Sequence, residues 1–198
     1  MKQFNGYDEA KKSASFEGTA SLPVGSYVAK ILDVKTAEDS SYIDICYDII
    51  EGEYKDFFTN QYNANTQEDK KYKGRTRIWA PKDDGSERDE WTKNSFAKWT
   101  ISLEESNSGY IWDWDEKKWK NKKIGLVYGQ TGTVIDGKEV VYTECHYPIN
   151  IEKSRKQDFR MPKLKKKNGY TGSGSSVTGS DTDGFVEPPK GTAEEIPF

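Results

Sequence analysis

Residues 169 to 184, GYTGSGSSVTGSDTDG, mark where folding has to stop. Gly, Ser, Thr and Asp with hardly any apolar side chain cannot bury enough surface to offset the entropy lost on ordering. The 198-residue chain is therefore expected to divide into a polar arm over 1–21, a folded body over 22–168 and a disordered linker and tail over 169–198. The arm carries scattered rings (Phe4, Tyr7, Phe16). A body of this size suits one domain with a core of its own.

Inside the body the hydrophobic period is mostly that of strands. Tyr27 to Lys35 is rich in Val, Ile and Ala, and Tyr42 to Ile50 alternates, with Ile43, Ile45, Tyr47 and Ile49 on one face and Asp44 and Asp48 on the other. Glu51-Gly52-Glu53 reads as a turn into a third strand, Tyr54 to Thr59. A helix of about 12 residues is predicted from an N-cap at Asn94, carrying Phe96, Trp99 and Leu103 until Asn107 and Gly109 end it. Strands follow at Ile124 to Tyr128 and, after Gly137, at Glu139 to Ile151, where Val141, Thr143, Cys145, Tyr147, Ile149 and Ile151 should share a face. The expected fold class is mainly β. Five strands with one helix between the third and fourth is the element order of the OB-fold, a five-stranded barrel.

The sharpest chemistry lies in Lys71 to Trp79. If this run is extended, Lys71, Lys73, Arg75, Arg77 and Trp79 point one way, and Thr76, Ile78 and Ala80 the other. Cations beside a flat apolar ring suit a single-stranded nucleic acid, whose phosphates need neutralising and whose unstacked bases need a platform. The alternative is an edge strand loaded with lysine against aggregation, with Trp79 tucked into the core. Six Trp, twelve Tyr and eight Phe leave rings to spare for either use.

A second patch is Trp112, Trp114 and Trp119 with Lys117, Lys118, Lys120, Lys122 and Lys123. Trp112 and Trp114 alternate as on a strand face that could close the end of a barrel, and at least two of the three indoles are expected to pack. Trp112, Lys120 and Lys122 are the candidates here for lining a binding groove. Lys163, Lys165, Lys166 and Lys167 form a basic run that could touch DNA or hold the acidic tail.

Enzyme chemistry finds little support, and no cofactor or metal is expected. His146 is the lone histidine, which excludes a two-histidine metal site, and adjacent Cys145 should point to the opposite strand face. Gly125 to Gly132 lacks the Gly-Lys-Ser/Thr of a phosphate loop. Glu104, Glu105, Asp113 and Asp115 could be imagined as a two-metal nuclease cluster, but acids around a helix end and turn are usually solvated. Asp83-Asp84-Gly85 and Asp181-Thr182-Asp183-Gly184 fall short of a calcium loop. Cys46 and Cys145 read as reduced, buried thiols. No run approaches the roughly 20 apolar residues of a membrane span, so no membrane partner and a cytoplasmic location are expected.

From Tyr170 onward five acids (Asp181, Asp183, Glu187, Glu194, Glu195) face one base, Lys190, although the whole chain is only −3. The tail ends Glu194-Glu195-Ile196-Pro197-Phe198: an acidic pair, two apolar plugs and a stiff Pro between them. This end resembles the acidic tip, Asp-Asp-Ile-Pro-Phe or a close relative, of the bacterial and phage single-stranded DNA-binding proteins. In the body, Leu22-Pro23-Val24-Gly25-Ser26-Tyr27, Glu104-Glu105-Ser106-Asn107 and the stretch from Tyr147 to Pro162 look like a family of replication-module proteins of Gram-positive phages. The resemblance implies an OB-fold body that coats single-stranded DNA and a tail, Glu194 to Phe198, that recruits replication or recombination proteins. For a phage product the cytoplasm is the host's. A homodimer is a natural further partner, since one small domain covers little of a long strand. A recombination accessory that anneals or mediates, or a metal-dependent nuclease, are the alternatives.

Overall fold

The computed structural model describes residues 21–172; all but the last residue of the arm expected over 1–21, and the tail with its Glu-Glu-Ile-Pro-Phe end, lie outside them. The described chain is mainly β with a few helices. In order it forms β1 (Gly25–Thr36), β2 (Tyr42–Ile49), α1 (Phe57–Ala64), β3 (Arg75–Trp79), α2 (Glu87–Ser106), a 3-10 turn (Glu116–Trp119), β4 (Lys123–Ile135), β5 (Lys138–Ile149), α3 (Ile151–Arg155) and the two-residue β6 (Lys165–Lys166).

One sheet runs in the order β3-β2-β1-β4-β5, antiparallel throughout, with β6 added parallel to β4. β3 and β5 are its two ends and do not pair, so the sheet is not closed into a barrel. Its inner face buries Ala29 and Ile31 of β1, Ile43, Ile45, Tyr47 and Ile49 of β2, Ile78 of β3, and Ile124, Leu126 and Tyr128 of β4. Trp99 and Leu103 of α2 and Trp119 of the 3-10 turn join the same core. The Tyr47 and Tyr128 hydroxyls meet at 2.6 Å inside it. Burial drives both phenols well above their ordinary range, so they stay neutral and one hydroxyl donates to the other.

Several expectations need correcting. The third strand is Arg75–Trp79; the run Tyr54 to Thr59 instead turns and enters α1. There Asp56 adopts φ 59° and makes no side-chain cap. The N–H groups of Phe58 and Thr59, which lack partners within the helix, donate to the carboxylate of Asp48, one oxygen each, at 3.0 and 2.9 Å. A cap borrowed from β2 is invisible to local pattern, whereas Tyr54, Phe57 and Phe58 look strand-like on their own. α2 begins at Glu87 instead of after Asn94. Ser86 accepts from Asp89 N–H, and Glu87, Asp89 and Glu90 fill the first turn, where the helix dipole favours acids. Asp89 is buried and draws the preceding loop over itself, accepting from the N–H groups of Lys82 and Asp83 while pairing with Lys93 at 3.0 Å.

The face expected of β5 is broken in two. The partner of Val127 is Tyr147 and that of Tyr128 is Cys145, which leaves His146 as an extra residue in the ladder. Tyr147 and Ile149 therefore leave the face of Cys145, and Ile151 starts α3. A second shift sets Leu32 outside the β1–β2 pairing. Contacts to the sheet continue past residue 168: the Tyr170 ring sits where a Cβ on Gly132 would meet it at 2.7 Å, and Glu139 accepts from the N–H groups of Thr171 and Gly172. No helix among the described residues is long and apolar enough to cross a membrane.

Candidate nucleic-acid interface

Residues 71 to 79 carry the expected alternation through to the structure. Lys71, Lys73, Arg75, Arg77 and Trp79 are exposed; Gly74 and Ile78 are buried and Tyr72 and Thr76 partly so. Only Arg75–Trp79 forms ladder bonds, but the alternation begins before them, because Gly74 lies flat against β2. Its carbonyl accepts from Tyr47 N–H at 2.8 Å, and a Cβ there would run into the Tyr47 carbonyl and the Phe58 ring. Tyr72 points inward and donates to the Tyr47 carbonyl at 3.2 Å.

The ladder register places Trp79 opposite Tyr42, Arg77 opposite Asp44 and Arg75 opposite Cys46, all on the outer face of the sheet. One strand further, Lys35 lies opposite Asp44 and Asp33 opposite Cys46. Trp79 is 37% exposed, not tucked into the core, and meets the Tyr42 ring edge to face at 5.6 Å. Arg77 donates to both Asp44 oxygens at 2.8 and 2.9 Å while its guanidinium lies over the Tyr42 ring. Lys71, Lys73 and Arg75 form no ion pair among the described residues. β3 is also an edge strand, so its cations deter edge-to-edge pairing as well.

Of the second patch, Lys120 reaches this face by pairing with Asp33 at 3.4 Å, and Lys123 lies further along it, opposite Lys30. Trp112 and Trp114 are not on a strand; both lie in the loop after α2. Trp119 is fully buried, and Trp112 is half-buried against it at 5.0 Å and against Phe96 at 5.9 Å. Trp112 thus packs against these two rings with part of its indole still open to solvent. Lys122 is turned away. Its carbonyl accepts from Ile31 N–H, at a core-facing position, and its ammonium sits 4.6 Å over the Tyr110 ring. The lysines after Pro162 follow a separate course: Lys165 and Lys167 pair with Glu144 at 3.4 and 2.9 Å beside β4 and β5.

Tyr42 was legible in the sequence, since it shares the alternation of Asp44. Trp114 was not, because its exposure depends on which of the three indoles the core takes. A further row of rings runs from Tyr54 to Phe57, Phe58, Tyr72 and Tyr62, all half-buried except the buried Phe58, with the Lys70 ammonium 4.5 Å over Tyr62. Cys145 packs against the core, whereas Cys46 is half-buried on the outer face, where burial and the Asp33 charge raise its thiol.

The acids imagined as a metal cluster have other partners: Glu104 accepts from Trp112 N–H, Glu105 from the Asn150 amide, Asp115 from Lys117 N–H, and Asp113 pairs with Lys118. No group of three His, Cys, Asp or Glu among the described residues is placed to hold a metal ion. No protein-family model matches the chain, and no curated protein matches it.

Proposed function

We propose that this protein binds single-stranded DNA without strong sequence preference, through the outer face of β2 and β3, and that its body is an OB-fold with an open seam between β3 and β5. The observation that carries the reading is the run from Lys71 to Trp79: four cations and an indole on one side, and Ile78, 3% exposed, anchoring the other. Phosphates need the first set and unstacked bases need the ring. The order β3-β2-β1-β4-β5 and the position of α2 between β3 and β4 support the OB reading, in which oligonucleotides lie on the strand 2–3 face.

The action is non-covalent. Coating by rings and cations protects the strand and removes hairpins, while Glu194 to Phe198 recruits replication or recombination proteins to it. Arg77 needs no rearrangement to serve: its stacked, doubly hydrogen-bonded guanidinium is already fixed in place.

Binding of labelled oligo-dT, duplex and RNA of equal length, followed by gel shift and tryptophan quenching across a salt series, tests this reading. Oligo-dT should bind most tightly, with log affinity falling against log salt by about 0.7 per phosphate contacted. Equal affinity for duplex, or none for oligo-dT at low salt, would falsify it.

A further inference from the structure

Trp114 is the most exposed tryptophan among the described residues, with 80% of its surface open. Its backbone lies at φ 66°, in the left-handed region that bulky residues avoid. A large apolar side chain left in water and a strained backbone both work against folding, so packing does not explain the position.

The indole nevertheless has aromatic neighbours. Its plane is within 12° of the Phe96 ring, with centroids 6.5 Å apart, and Trp112 touches it at 5.8 Å. Trp112 rests in turn on the fully buried Trp119. On either side the loop is clamped: Asp113 pairs with Lys118, Asp115 caps the 3-10 turn, and Glu116 accepts from the Thr36 hydroxyl at 2.5 Å. A flat ring presented to solvent beside other rings is what a planar, unstacked partner needs, because its open face can take a base without first being uncovered.

The same turn leads back to the proposed interface. It carries exposed Lys117 and Lys118 and ends at Lys120, whose partner Asp33 stands opposite Cys46, itself opposite Arg75. Two strand spacings, about 10 Å, separate β3 from β1.

From this we infer that Trp114 is a second stacking platform for a nucleobase, and that the bound strand crosses the sheet from β3 over β2 and β1 toward the 3-10 turn instead of following β3 alone. This rests on the single-stranded DNA reading. Trp79 and Trp114 then hold bases at the two ends of one path, and Lys120 serves a phosphate between them.

The test uses the full chain and a ladder of oligo-dT from about 4 to 20 nucleotides, within and beyond the usual footprint of one such fold. Trp114→Ala should weaken the long oligomers by about 5- to 150-fold, the range expected for one lost stack. The shortest should be nearly unaffected, being held at β3. Trp114→Phe should restore most of the loss, and thermal unfolding should not change, since the indole is exposed. If wild-type protein binds the long oligomers and Trp114→Ala binds them equally well, the second platform is overturned while the β3 interface stands. If Trp114→Ala changes only self-association in sedimentation, the ring belongs to a contact between copies and the inference is wrong. Should wild type bind no oligomer of any length, both readings fail together.

Discussion

The guanidinium of Arg77 lies 3.6 Å from the centroid of the Tyr42 ring. It is held there by Asp44, on the next strand, through two hydrogen bonds. Tyr42 in turn meets Trp79, so one cation, one carboxylate and two rings form a single fixed patch across β2 and β3.

Removing Trp79 from that patch should cost one base stack. Trp79→Ala is expected to weaken oligo-dT binding by ~1–3 kcal/mol with little change in the salt slope. Arg77→Ala should lower the slope by about 0.7 and weaken binding further, because Asp44 is left facing the phosphates without its partner. Titrations at several salt concentrations separate the two. Unchanged affinity in the double variant would mean that the strand binds another face.

The buried Tyr47–Tyr128 pair predicts a non-additive stability cycle. Tyr128→Phe leaves the Tyr47 hydroxyl buried without its partner and should destabilise by about 1–3 kcal/mol. Adding Tyr47→Phe removes the orphaned group, so the double variant should recover part of that loss. Urea unfolding of the three variants measures the coupling.

Gly74 is required by close approach and not by a special backbone angle. A Cβ there would meet the Phe58 ring at 2.8 Å as well as the Tyr47 carbonyl. Gly74→Ala should therefore lift residues 71–75 from β2, destabilising by about 1–3 kcal/mol. It should also weaken DNA binding more than its loss of stability explains, since Lys71 and Lys73 lose their line with Arg75. Binding well below the melting temperature reads the second effect.

Acid should loosen the segment around β6. His146 lies 3.2 Å from the Thr131 hydroxyl, and burial, reinforced by Lys165, keeps its folded pKa below the ordinary 6.5. The unfolded chain thus takes up a proton first, so stability falls as pH drops below 6.5, by up to about 1.4 kcal/mol per pH unit. Glu144 adds to the fall at lower pH. Burial raises its carboxyl, but the Lys167 hydrogen bond and the Lys165 charge outweigh that and hold it below its ordinary 4.5, so its contribution disappears as pH falls through the lowered value. His146→Gln should flatten the slope between pH 7 and 5.5 in urea unfolding. An unaltered slope would place the titration elsewhere.

Strand alternation is a local property, and the sequence alone determined what depends on it: the buried face of β2, the outward row from Lys71 to Trp79, and a helix between that row and β4. Tertiary structure decided whatever one element takes from another. Asp48 on β2 caps α1 and turns a strand-like run into a helix; an extra residue at His146 divides β5 into two faces; Asp89 gathers the loop that lengthens α2. It also chose among the three tryptophans, burying Trp119, half-burying Trp112 and leaving Trp114 in water. The core has a fixed volume, and which indole fills it depends on the chain packed around it.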